Sequence, residues 1–296
     1  MKSRIITGAV YVVVLIALIA LKWLVPGGWG ALGFDALFLL ISVMGCIELL
    51  NAFKVVSFPH RAVTISFCAV AVPLYVLSVM LAGDSLSGLF AVLMGILVYV
   101  LVLAVFYFTK FGESNLKSFL LSLFAMAYCG ILCVVLAAVN HLSENSVAAV
   151  LLMFFVIMFT DSGALIFGKL FKRWLPYKLA PKISPNKTII GGVGGLLGGM
   201  LGAIAAYYIY YGLGLVLETP LVYGGSIPAV VAFLLIGLVA AIFDQAGDLF
   251  ESGIKRKCDI KDMGKVLPGH GGILDRFDSL LFCGVIILLS FALILI

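Results

Sequence analysis

Apolar runs of about 18 to 22 residues recur from one end of this chain to the other, and they restrict the backbone before any side chain is considered. In hydrocarbon no water is at hand to pair N–H and C=O groups, so each run must satisfy its own backbone as a helix. Charge is correspondingly scarce: 11% of residues are charged, and the mean hydropathy is +1.26. A soluble domain carries roughly 25% charged residues. The expected fold class is an all-α polytopic membrane protein with about nine transmembrane helices, near residues 5–25, 29–50, 62–81, 89–109, 118–139, 147–168, 191–211, 227–250 and 279–296. The first run follows Lys2 and Arg4, as a signal peptide's would. Its length and the lack of a small-residue cleavage site mark it as a retained span.

Loop charge gives the orientation. With the N-terminus cytoplasmic and the C-terminus outside, 18 of the 19 Lys and Arg residues fall on the inner side, Lys22 being the exception. The outer loops carry Asp84, Glu144 and Glu218. This is the asymmetry that the positive-inside rule demands, and it places the chain as a multi-pass protein of the cytoplasmic (inner) membrane. Trp23, Trp29 and the run Tyr207 to Tyr211 fit outer-interface positions. The six cysteines lie mostly within apolar runs and form no C-x-x-C pair, which suits small buried hydrophobes. One transmembrane domain is expected over 1–296, with 1–145 as scaffold helices and 146–296 as the catalytic half. Asp35, Glu48, His60 and His141, all in the first part, read as border or loop residues. The seventh run opens "GGVGGLLGG", whose four-residue glycine spacing suits close helix packing and permits a homodimer.

The informative exceptions are ionisable groups inside the runs, each costly to bury in lipid. Asp161 lies in the inner half of the sixth run. Asp244 and Asp248 share one face of the eighth at i, i+4 spacing, and Asp275 and Asp278 share a face at the mouth of the ninth. The topology brings all five to the cytoplasmic side. Carboxylates gathered at one depth repel one another unless cations are present, and hard divalent ions with oxygen ligands, Mg²⁺ above all, are the usual partners. Two basic loops, around 168–192 and 252–272, accompany them. Carboxylates beside basic loops suit a polyphosphate held through metal, lysine and arginine. A cation-coupled transporter is the rival from another class, but its acids should be spread across the membrane or repeated in two matching halves.

The segment "SGIKRKCDIKDMGKVLPGHGGILDRFD", Ser252 to Asp278, resembles the signature of the phosphatidate cytidylyltransferases, and each fixed position of that signature is met. The upstream "DSGALIFGK" and "LAPKISPNKT" are similar to further segments of the same family. The resemblance implies that CTP and phosphatidic acid, a membrane lipid, are converted to CDP-diacylglycerol and pyrophosphate, without nucleic acid as a partner. It implies Mg²⁺ as cofactor, a second cation being left open, with Asp248, Asp275, Asp278 and Asp244 as metal ligands. Lys255, Arg256, Lys261, Asp262, His270 and Arg276 take catalytic roles. Asp161, Ser184, Asn186, Lys187, Thr188, Ser252, Gly271 and Gly272 are expected at the substrates. The chain departs from the family in one place. After Lys187 and Thr188 it has Ile190 where a glutamate is usual; if that glutamate orients a lysine or a metal, either the site is impaired here or a nearby acid substitutes.

Overall fold

The structure, a computed structural model, describes residues 2–25, 28–142, 145–171, 173–174, 177–214, 228–266 and 271–295. His270, Lys172, Glu144 and Glu218 lie outside the described residues. Nine long helical segments run through the described residues: α1 (Lys2–Leu24), α2 (Leu32–Phe53), α3 (Phe58–Ala82), α4 (Ser85–Phe108), the pair α5 (Leu116–Ala125) and α6 (Leu132–Asn140), α7 (Ser146–Leu170), α8 (Ile189–Gly212), α9 (Ala229–Lys257) and α10 (Leu274–Leu295). The turn Met126–Ile131 joins α5 to α6 as π-helix, so the two make one span.

Eight of these segments are long and apolar enough to cross a membrane, and within α1 the described stretch Val12–Leu24 is apolar as well. The last two helices also overrun their expected ends. α9 continues to Lys257 and α10 begins at Leu274, because a helix need not stop where the hydrocarbon does. Lys255, Arg256 and Lys257 in the last turn of α9, and Asp275 in the first turn of α10, are charges that complement the helix dipole.

Local signals set several of the boundaries. Gly83 closes α3 with φ +80°, a conformation that a Cβ would strain, and its N–H donates to Val79 O at 2.8 Å. Asp84 then caps α4 by accepting from Ser87 N at 2.8 Å and Ser87 Oγ at 2.6 Å. These bonds, the side-chain one first, hold the Asp84 carboxyl below its ordinary pKa. Between α7 and α8 the basic loop is not irregular. Lys178–Ala180 (β1) and Ser184–Thr188 (β2) pair antiparallel, and Thr188 goes on to cap α8 by accepting from Gly191 N at 3.1 Å. Alternation over five residues containing Pro185 is too short a signal for a strand to be read from sequence.

The chain divides into two compact units, one of Met1–His141 with Cys258–Phe277, the other of Leu142–Lys257 with Asp278–Ile296. In the first, residues expected at borders are buried in polar contacts. Asp35 accepts from Asn140 Nδ2 at 2.8 Å and pairs with His141 Nε2 at 2.9 Å. Lys22 donates to Asn140 O at 2.7 Å. His60 contacts Ser118 Oγ at 2.7 Å and Leu103 O at 3.2 Å. Cys258 is half-buried, and burial raises its thiol pKa, with Asp259 adding to the shift.

The second unit is built on glycine. Gly163 of α7 faces Gly194 and Gly198 of α8, while Gly199 meets Ala241 of α9 and Gly237 of α9 meets Ala203 of α8. The absence of side chains lets the three backbones close up, as in other small-residue membrane interfaces. The glycine ridge is thus occupied within one chain, and a homodimer would have to use another surface. Gly198→Leu should lower the thermal stability of the detergent-solubilised protein by about 1–3 kcal/mol or prevent folding, since a Cβ there meets Phe159 backbone. Gly212→Ala, where a Cβ meets nothing within 4 Å, should leave the melting curve in place. Equal curves for both variants would contradict this packing.

Candidate active site

The eighth run carries its acids at one end of a 29-residue helix, α9. The i, i+4, i+7 rhythm of Asp244, Asp248 and Glu251 sets them along one face. Asp248 anchors the arrangement. Its Oδ2 pairs with Lys187 Nζ at 2.5 Å, and its Oδ1 accepts from Ser252 Oγ at 3.4 Å, a long bond. Lys187 comes from β2, so the hairpin delivers the ammonium to the helix face. Asp248, on a different element, is the acid that holds the lysine, where position 190 supplies an isoleucine.

Around this pair lies a cavity of about 580 Å³, lined by Asp161, Gly168 and Lys169 of α7 and its end, by Asn186, Lys187 and Thr188 of the hairpin, by Gly191 and Gly192 of α8, and by Gln245 and Asp248 of α9. Five residues expected from the sequence therefore share one wall: Asp161, Asn186, Lys187, Thr188 and Asp248. Gln245 was not expected. It donates from Nε2 to Gly192 O at 3.2 Å and so ties α9 to the start of α8. An uncharged amide in an apolar run is a weak sequence signal.

Deeper in the same unit, Asp244 is 1% exposed, and its Oδ1 has no hydrogen-bond partner among the described residues. Asp161 and Asp278 both lie within electrostatic range of it. Asp278 is 7% exposed and feels Asp248, Asp161 and Lys255. Ser279 Oγ donates to Asp244 O at 3.1 Å and so fastens α10 to α9 at this level. Lys255 pairs with Glu251, a fully buried acid on the same helix face. Arg256 donates from Nε to Ile183 O at 3.2 Å and holds the hairpin turn to α9. Ser184 lies in β2 but does not line the cavity.

The remaining expected residues belong to the first unit. Lys261, Asp262 and Arg276 are exposed, Gly271 has φ +91°, and Gly272 is buried. Asp275 Oδ2 accepts from Met263 N and Gly272 N, each at 2.8 Å, which makes it an organiser of its own loop.

Among the described residues no three His, Cys, Asp or Glu side chains form a complete metal cage. The donors nevertheless suit a hard cation. They are carboxylate oxygens, Asp244 Oδ1 is buried without a partner among the described residues, and Mg²⁺ characteristically takes one or two carboxylates and completes its shell with water and substrate phosphates. What the arrangement offers is negative charge for a cation and positive charge from Lys187 on the cavity wall for an anion.

A multi-spanning helical fold with this cavity defines an integral-membrane protein with a charged site, and the comparisons specify which kind. The chain matches the model of the cytidylyltransferase family over residues 2–294. It is 33% identical to the phosphatidate cytidylyltransferase of Staphylococcus haemolyticus over 283 residues, which cover 95% of each chain. It is 35% identical to the phosphatidate cytidylyltransferase of Bacillus subtilis over 289 residues, 95% of this chain and 94% of that one. The chain belongs to the cytidylyltransferase family.

Proposed function

We propose that this protein joins CTP to phosphatidic acid, giving CDP-diacylglycerol and pyrophosphate, at the cavity where Lys187 meets Asp248. The observation that carries the reading is that pair: a lysine held by a carboxylate on the wall of a cavity whose unit also gathers Asp161, Asp244 and Asp278. The full-length family match and the names of the relatives support the choice of substrates.

In this reaction an oxygen of the lipid phosphate attacks the α-phosphorus of CTP. The bond from that phosphorus to the bridging oxygen of the β-phosphate breaks, and pyrophosphate departs with the electron pair. The attacking oxygen is already anionic, so no strong general base is required, and catalysis rests on positioning and charge. Lys187 neutralises phosphate oxygens, its ammonium fixed by Asp248 and Asp248 by Ser252. Lys255, steadied by Glu251, adds a second positive charge. Asn186 and Thr188 offer polar contacts on the same wall. Asp244 and Asp278 would hold Mg²⁺, which when bound withdraws charge from the triphosphate and aligns it for displacement. The lipid's acyl chains stay in the bilayer while its phosphate enters the cavity. By the loop-charge argument, the site faces the cytoplasm in the cytoplasmic membrane.

The test is product formation by purified protein in mixed micelles. Labelled CTP and phosphatidic acid should yield labelled CDP-diacylglycerol, and excess ATP should neither replace CTP nor compete strongly. Cation flux through liposomes without any nucleotide turnover would instead support a transporter.

A further inference from the structure

Glu48 lies in α2, 225 residues before Ile273 of the signature segment, in a stretch whose acids had no expected function. It is 4% exposed. A carboxylate that deep in a membrane protein is costly unless hydrogen-bonded, and this one has specific partners. Ile273 N donates to Oε1 at 3.0 Å, and Leu274 N donates to Oε2 at 2.9 Å. These are N–H groups at the start of α10 that no intrahelical carbonyl can satisfy, and a negative charge there also complements the helix dipole. Glu48 thus caps a helix remote from it in sequence.

The glycines of the signature segment tell the same story from the other side. A Cβ added at Gly264 or at Gly272 would come within 2.6 Å of Glu48 Cδ. Both flanks of the stretch 264–272 are therefore drawn up against one carboxylate, and glycine is needed at both because the backbone itself is the contact. Asp275, at the first turn of α10, completes the arrangement through Met263 N and Gly272 N.

We infer that Glu48 is a positioning residue for cytidylyl transfer: it fixes the start of α10 and the positions of Gly264 and Gly272, and so sets where Asp275 and Arg276 stand. Glutamine at this position keeps the length and one acceptor oxygen, but turns an NH₂ group toward an N–H that needs an acceptor. The inference rests on the proposed reaction for its kinetic arm alone; its structural arm is independent of turnover.

The experiment compares wild type, Glu48→Gln and Glu48→Asp as full-length protein in nanodiscs. Amide exchange at Ile273 and Leu274 should accelerate at least about tenfold in Glu48→Gln, since a charge-assisted bond is lost. The kcat should fall at least about tenfold while the KM for the lipid stays near wild type. Glu48→Asp, which keeps the charge on a shorter arm, should recover part of both. If Glu48→Gln does not accumulate as folded protein, Gly264→Ala carries the test, because it displaces the same carboxylate from the loop side. Unchanged exchange at these amides, or a lower melting temperature with full kcat per folded molecule, overturns the inference. Exchange is measured without substrate, so a wild-type protein inactive toward CTP would sink the reaction while the exchange data still decide the role of Glu48.

Discussion

Asp248→Asn should reduce turnover by about 10²- to 10³-fold while the protein still folds, a loss typical of removing one preorganised electrostatic group from an active site. The residue carries three functions at once. Its Oδ2 holds the Lys187 ammonium at 2.5 Å, its Oδ1 receives Ser252, and it lines the cavity. Asparagine preserves shape and one acceptor but leaves Lys187 without its countercharge. Because the two side chains are about a quarter and a third exposed, the pair contributes little to folding, and the melting temperature should move little. Lys187→Met should be about as damaging as Asp248→Asn. The double variant should be hardly worse than either, since residues that act as a unit are not additive. Independent, multiplying losses would show that lysine and carboxylate serve separate steps.

The second large effect runs in two directions. Asp244→Asn should abolish most turnover, by about 10²-fold, and yet stabilise the protein. Asp244 is almost fully buried, one of its oxygens lacks a partner among the described residues, and Asp161 and Asp278 add like charge. Such a group strains the protein in the absence of a cation, and removing its charge relieves repulsion and desolvation together. A gain of about 1 kcal/mol or more in thermal stability without divalent ions, shrinking when Mg²⁺ is added to wild type, is the expected signature. This trade between stability and activity is common at functional sites. A destabilised Asp244→Asn would mean that the carboxylate serves packing instead.

The spans were legible because hydrocarbon leaves the backbone no alternative to the helix, and the acids at 161, 244, 248 and 278 stood out because lipid penalises charge. The last two helices strayed from their expected limits for one reason: hydropathy locates the membrane, whereas caps and dipole charges locate helix ends. The glycine ridge of α8 was legible as packing, but its spacing could not say that α7 and α9 would occupy it. Glu48 was illegible. Its partners are backbone N–H groups at Ile273 and Leu274, which carry no residue identity, and they lie far away along the chain. Gln245 and the hairpin at 178–188 were missed for a related reason, since their contacts run to main-chain atoms or depend on pairing across a turn.

The most direct test of the central claim, that Asp244 and Asp278 hold the divalent ion used in cytidylyl transfer, is a Mg²⁺ titration of pyrophosphate release from CTP. Wild type, Asp244→Asn and Asp278→Asn should be compared at saturating phosphatidic acid. The account predicts that the half-activating Mg²⁺ concentration rises at least about tenfold in each variant, the equivalent of roughly 1.4 kcal/mol of lost cation binding. A variant with reduced turnover but an unchanged Mg²⁺ midpoint would contradict it.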